Sequence, residues 1–137
     1  MSETELIVRA IIVKDGKILL CKNIKGGGYY FLPGGHIENG ESPEVALERE
    51  LVEEIDRKTN KTKRIAEIKN TYNENNETIV ETFYICLTAL SDYENIKSKE
   101  DHLEFDWVPI DDLEEVDFKP KHVIKEILKN IEANKDF

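Results

Sequence analysis

The stretch Pro33–Ile55, PGGHIENGESPEVALERELVEEI, constrains this chain more than any other segment. Ser42-Pro43 marks a helix start, with Ser as N-cap and Pro at the first helical position, and the helix is expected to run to about Asp56. Seven glutamates (Glu38, Glu41, Glu44, Glu48, Glu50, Glu53, Glu54) crowd into the segment, although like charges one turn apart destabilise a helix. At about 100° per residue, with Glu50 at zero, Glu53 falls near 300° and Glu54 near 40°, so these carboxylates share one arc. Leu47, Leu51 and Ile55 fall at roughly 60°, 100° and 140°, with Val52 and Val45 beyond them. The helix is expected to turn an apolar flank to a sheet and carry a carboxylate edge beside it.

A solvated acidic face is the ordinary explanation of a charge run. The flanking residues favour another. Mg2+ takes octahedral oxygen ligands, uses few carboxylates, and keeps positions for water and substrate phosphate. Carboxylates at i, i+3 and i+4 suit such an ion, and a cation relieves their repulsion. Gly34-Gly35 offers bare backbone at the mouth of the helix, where a carbonyl can join the coordination shell. Arg49 stands among the carboxylates and can orient one of them, and Glu41, just before the cap, can brace the loop.

The remaining sequence reads as strands around this helix. Residues 5–13 and 17–22 are apolar, β-branched runs joined by Lys14-Asp15-Gly16, and Asp-Gly between two such runs signals a hairpin. A glycine-rich loop at 25–28 precedes the aromatic run Tyr29-Tyr30-Phe31. Residues 63–72 and 78–90 form a second expected strand pair, 91–101 an irregular polar stretch, and 105–108 a short strand. Asp111-Asp112-Leu113 reads as a helical turn, and Pro120 opens a last helix with Val123, Ile124, Ile127, Leu128 and Ile131 on one core-facing side. Strands with a helix in the middle and another at the end indicate an α/β or α+β sandwich, and 137 residues suit a single domain, 1–137.

A net charge of −10 disfavours a polyanionic partner, since a nucleic-acid polymer calls for a basic stripe. No apolar run approaches the roughly 20 residues of a membrane span. No targeting segment is visible at the acidic N-terminus, which makes the expected location cytoplasmic. Cys21 and Cys86 lie in apolar strand-like runs and are expected to be reduced core residues.

Gly35, then Glu41, then Arg49-Glu50-Leu51-Val52-Glu53-Glu54 resembles the signature of the Nudix hydrolases, the MutT-like family, whose pattern is G-x5-E-x7-R-E-U-x-E-E-x-G-U with U apolar. All charged positions match. Asp56 replaces the terminal glycine and Arg57 the last apolar residue, so the helix end is expected to be less well capped and the following loop looser. Leu32-Pro33 before the box, and Trp107-Val108-Pro109 with Asp111-Asp112-Leu113 far behind it, also resemble the family. The resemblance implies a Nudix-type α/β/α sandwich with a central mixed sheet. It also implies metal-dependent hydrolysis of a pyrophosphate bond in a nucleoside diphosphate linked to a further group.

On that resemblance Glu50, Glu53, Glu54 and the Gly34 carbonyl are expected to bind Mg2+, with Mn2+ as substitute. Arg49 orients a carboxylate, and Glu41 and Gly35 support the loop. The general base is a box glutamate or an acid on a later loop, where Glu100, Asp101 and Glu104 are candidates. Lys22, Lys25 and Arg9 are candidates for substrate phosphate, and Tyr29, Tyr30, Phe31, Tyr72, Tyr84 and Phe105 include candidates for base stacking. The expected partner is a small nucleotide, the chain being a monomer or homodimer. A nucleoside triphosphate pyrophosphohydrolase is the favoured reading. An ADP-ribose, ADP-sugar or dinucleoside polyphosphate hydrolase, or a nucleotide-sensing module without turnover, stand as alternatives. The lack of proline between Pro43 and Pro109 weighs against the ADP-sugar reading.

Overall fold

The computed structural model describes residues 2–137. Strand β1 (Ser2–Ile11) continues through a break at Ile12 into β2 (Val13–Lys14), which turns back into β3 (Lys17–Asn23). Asp15 and Gly16 make that turn with φ of 52° and 77°, the paired positive values that a two-residue hairpin needs. Two short strands follow, β4 (Tyr30–Phe31) and β5 (Gly34–His36), and then helix α1 (Pro43–Ile55). The long hairpin β6 (Thr59–Glu74) and β7 (Glu77–Leu90) is followed by β8 (Leu103–Pro109), a 3-10 turn at Ile110–Asp112, and helix α2 (Val123–Ala133).

Two sheets result. One is mixed, in the order β5-β1-β7-β6, with β1 and β7 parallel and the other pairs antiparallel. In the other, β3 pairs antiparallel with β2 and β4 along one part and with β8 over its length. Helix α1 packs Ala46, Leu47, Leu51 and Ile55 with Val8, Ala10, Ile12, Leu19, Cys86 and Leu90. Helix α2 packs Val123, Ile124 and Ile127 with Ile7, Ile11, Phe83, Ile85 and Leu87. Adjacent residues of β1 therefore serve opposite helices, as the two-residue period of a strand requires. This is the expected α/β/α sandwich. Each such buried Leu or Ile contributes about 1.5–3 kcal/mol. Cys21 and Cys86 are buried and unpaired.

Several boundaries differ from the sequence reading. β6 and β7 extend beyond 63–72 and 78–90 because Asn75 and Asn76 take φ of 50° and 63°. A two-residue turn lets pairing run to Glu74 and Glu77. Helix α2 starts at Val123, so Pro120 stands in the preceding turn instead of opening the helix. Val45 and Val52 point to solvent, 51% and 40% exposed, which narrows the apolar flank of α1 to its four buried residues.

The end of α1 corrects the expectation of a loose loop. Ser42 Oγ accepts the Val45 N–H at the start. At the end Asp56 takes the left-handed conformation, φ 55° and ψ 45°, in place of the usual glycine. Arg57 then spreads its guanidinium over the carbonyls of Ile55, Asp56, Asp92 and Glu94. The residue that forgoes an apolar contact ties down the 91–95 segment instead.

Candidate functional site

Two adjacent glycines create the space for the site. Gly34 has φ of 137° in the β5–β1 ladder, where a Cβ would lie 2.0 Å from the Val8 carbonyl oxygen. Gly35 lies under Glu50, where a Cβ would fall 2.4 Å from the carboxyl carbon. Glu50 thus rests on bare backbone, as the sequence arc of α1 requires.

Arg49 gathers the surrounding acids. Its Nε and Nη2 donate to the two oxygens of Glu41 at 2.8 and 2.9 Å, and its Nη1 donates to Glu50 Oε1 at 3.0 Å. Nη2 also donates to the His36 carbonyl at 3.0 Å, and Glu53 lies 3.5 Å from Nη1. Glu41 in turn accepts the Glu38 N–H at 2.9 Å. A forked pair of this kind fixes geometry as well as charge. Its hydrogen bonds to Arg49 hold the Glu41 carboxyl down at about 2, and the same bonds raise the Arg49 guanidinium further. Arg49 and Glu41 therefore lock the entry loop to the carboxylate edge.

Glu54 is in a different environment. It is only 6% exposed, and its carboxylate accepts the Gly34 N–H at 3.4 Å. Burial pushes its carboxyl up to about 8; the Arg9 guanidinium opposes the rise and Glu50 adds to it. Burial also raises Glu50, against the pull of Arg49. The Lys99 N–H donates to the Glu54 backbone carbonyl at 2.8 Å, which brings the 97–100 segment onto the end of the helix.

A carboxyl raised in the folded state favours folding most fully below its unfolded value, near 4.5, and that contribution is lost as pH rises through about 8. The metal-free protein is therefore expected to lose stability between pH 5 and pH 9 through this group. Glu54→Gln should remove the loss, leaving the variant more stable than wild type at pH 9 by on the order of a few kcal/mol. Calorimetry in EDTA at both pH values checks this; equal melting at pH 9 would overturn it.

Among the other residues expected at the site, Arg9 lies half-buried on β1, with its guanidinium 5.2 Å from the Phe31 ring centre. Both line a cavity of about 630 Å³ on the α2 side of the mixed sheet, together with Tyr29, Tyr72, Phe83 and Phe118. Arg9 pairs with Gly34 in the β1–β5 ladder, and the Gly34 N–H donates to Glu54, so Arg9 stands between the carboxylate edge and the cavity. Glu54, Glu50 and Glu81 all favour its charge against burial. Lys22 is not brought there. Its ammonium sits 4.9 Å over Tyr30, whose hydroxyl donates to Asp106 at 2.7 Å, away from the cavity lining. Of the later acids, Glu100 is half-buried, lies 3.4 Å from His102, and bears on Glu54. Asp101 and Glu104 are exposed, and Glu104 sits opposite Lys22 in the β3–β8 ladder. Tyr84 lies under Arg64, and Phe105 packs on the α1 side, so neither faces the cavity.

The sequence reading missed Asn70 and Glu81, which face each other across β6 and β7 in the cavity wall. A signal was present. Residues 79, 83, 85 and 87 are the buried apolar positions of one parity, and Glu81 interrupts them with a carboxylate.

Oxygen-only donors suit a hard divalent cation, and the buried Glu54 has a charge partner only in part, through Arg9. By chemistry the set Glu50, Glu53, Glu54 and the Gly34 carbonyl fits such an ion. Among the described residues no three His, Cys, Asp or Glu side chains converge into a coordination cluster; Arg49 holds Glu50 and Glu41 instead. No helix among the described residues is long and apolar enough to cross a membrane.

The sequence model of the NUDIX domain matches residues 4–128. The chain belongs to the Nudix family. It is a Nudix hydrolase, with the MutT-like α/β/α fold. A curated relative, the nucleoside triphosphatase NudI of Escherichia coli O139:H28, is 30% identical over 117 residues, spanning 78% of this chain and 83% of that one. The solved MutT Nudix hydrolase of Burkholderia pseudomallei superposes with a TM-score of 0.72 at 26% identity, covering 94% of this chain and 98% of its own. A Nudix hydrolase from Nitrosomonas europaea shares the fold with a TM-score of 0.73 at 22% identity, over 97% and 91% of the two chains. Nudix hydrolases generally require a divalent metal, and the oxygen donors on α1 are of the type such an ion takes.

Proposed function

We propose that this Nudix hydrolase cleaves nucleoside triphosphates to nucleoside monophosphate and pyrophosphate, using Mg2+ with Mn2+ as substitute. One observation carries the reading. Arg9 pairs with Gly34, whose N–H donates to the Glu54 carboxylate, and its guanidinium lies 5.2 Å from the Phe31 ring in the wall of a nucleoside-sized cavity. A chain of phosphates beside the carboxylates would thus run past a cation to a base held among aromatic rings. The similarity to a nucleoside triphosphatase supports the same substrate class.

In this reading Glu50, Glu53, Glu54 and the Gly34 carbonyl hold the cation. The bound cation supplies charge neutralisation at the phosphates and acidifies the attacking water. Arg49 keeps Glu50 in place, Glu41 holds Arg49, and Gly35 leaves room for the Glu50 carboxylate. Arg9 binds phosphate oxygens, Phe31 stacks on the base, and Lys22 is left without a substrate role. Glu100 serves as the base that takes the proton from water, in preference to Asp101 and Glu104, because it is half-buried next to Lys99, whose N–H is held by the Glu54 carbonyl, while the other two are exposed.

Incubation with a panel of triphosphates, ADP-ribose, ADP-sugars and dinucleoside polyphosphates tests the reading. Monophosphate and pyrophosphate are expected from triphosphates with Mg2+, and neither in EDTA. Turnover of ADP-ribose alone would keep the hydrolase and overturn the substrate class. Binding without turnover of any compound would favour a sensing module.

A further inference from the structure

The cavity contains a polar pair with no part in the chemistry described above. Glu81 and Asn70 are cross-strand partners on β7 and β6, and Asn70 Nδ2 donates to Glu81 Oε1 at 2.9 Å. Both are half-buried and line the cavity wall. Arg9 pairs with Ile85 in the β1–β7 ladder, so Glu81 stands four residues further along the strand on the same face. At about 3.3 Å per residue the two backbone positions are roughly 13 Å apart along the strand. The long side chains reach into the space between them, where Glu81 favours the charged Arg9 guanidinium. The stretch between them is walled by Phe83 and Ile85. A nucleotide with its phosphates at Arg9 therefore directs its base edge toward Glu81.

From this placement we infer that Glu81, positioned by Asn70, selects the base of the substrate and favours guanine. The inference rests on the triphosphatase reading for the position of the phosphates. A carboxylate only accepts hydrogen bonds, and its two oxygens accept best from two adjacent donors. Guanine presents such a pair, the ring N1–H beside the exocyclic N2 amine. Adenine and cytosine each offer one exocyclic amine beside a ring acceptor. Uracil and thymine offer one ring N–H flanked by two carbonyls, whose oxygens would face the carboxylate. Asn70 adds an amide oxygen, a further acceptor. Rejection of a base that leaves a polar wall unpaired is the strong form of specificity.

Two measurements test this together. The first is calorimetric binding of GMP, AMP, CMP and UMP to wild type and Glu81→Gln in EDTA, and the second is kcat/KM for the four triphosphates with Mg2+. Wild type is expected to prefer guanine over uracil by roughly 5- to 150-fold, the range of a good bidentate pair. Glu81→Gln should erase or invert that preference, because a carboxamide offers a donor beside an acceptor and so matches the uracil N3–H and O4. Its kcat/KM for UTP should rise while that for GTP falls, which a variant that merely misfolds would not show. Triphosphate turnover with a guanine preference unchanged in the variant would overturn the role of Glu81. If wild type cleaves no triphosphate, the substrate reading fails, and the binding series still decides: guanine-selective binding lost in the variant supports Glu81, and binding indifferent to base overturns it.

Discussion

Glu53→Gln should cut turnover by at least about 10- to 100-fold, the loss seen even for groups that only support a metal ligand, while leaving the fold intact. The expectation rests on a contrast within one helix. Glu53 is 52% exposed at its side chain, and it lies 3.5 Å from Arg49 in an ion pair. Exposed pairs contribute about 0–1 kcal/mol, and substitutions at such positions usually stay within about 0.5 kcal/mol. A large loss of activity with unchanged melting therefore reports on chemistry, not on folding. Glu48→Gln is the matched control. It lies on the same helix and is also exposed, but at about 160° from Glu50 it stands off the arc. If the glutamates were merely a solvated face, both variants would behave like wild type. If Glu53 helps hold the cation, only Glu53→Gln should lose turnover, and the Mg2+ concentration needed for half-maximal rate should rise. Wild-type turnover in Glu53→Gln would remove Glu53 from the site.

What the sequence disclosed follows the reach of each interaction. The helix start at Ser42-Pro43 and the turn at Asp15-Gly16 depend on neighbours one to three residues away, and both formed as expected. Arg49 was expected to orient a carboxylate and Glu41 to brace the loop, but that the two pair with each other, eight residues apart across the helix cap, was not foreseen. The cavity was beyond such reasoning, because Arg9, Phe31, Asn70 and Glu81 meet only through the pairing of β1 with β7 and β7 with β6 and the seating of Phe31 beside them. The later acids illustrate the same limit. Glu100, Asp101 and Glu104 are all acids of one loop region, but the Lys99 hydrogen bond to the helix end brings only the neighbourhood of Glu100 against α1, and Asp101 and Glu104 stay exposed. Arg57 was misjudged for a different reason. A missing apolar contact is visible in a pattern, whereas four carbonyls from two segments converging on a guanidinium are not.

Gly34→Ala should be the most damaging substitution to the fold, lowering stability on the order of 3–5 kcal/mol. Domains of this kind have roughly 5–15 kcal/mol in total, so much of the protein would be unfolded under mild denaturant. Two costs combine. A φ of 137° is a region that side chains rarely adopt, and the added Cβ would stand 2.0 Å from the Val8 carbonyl oxygen. That oxygen belongs to the β1 backbone and cannot swing aside without opening the β1–β5 ladder at Arg9 and Gly34. Gly35→Ala makes the comparison sharp. Its Cβ would meet the Glu50 carboxyl at 2.4 Å, the end of a flexible side chain that can rotate away. The expected outcome is a milder loss of stability with displacement of Glu50, and hence a fall in turnover in protein that still folds. Urea denaturation of both variants, read beside their turnover, separates the two glycines. A Gly34→Ala protein as stable as wild type would mean that β5 does not approach β1 this closely. A fully active Gly35→Ala protein would mean that the seat of Glu50 on bare backbone has no consequence for catalysis.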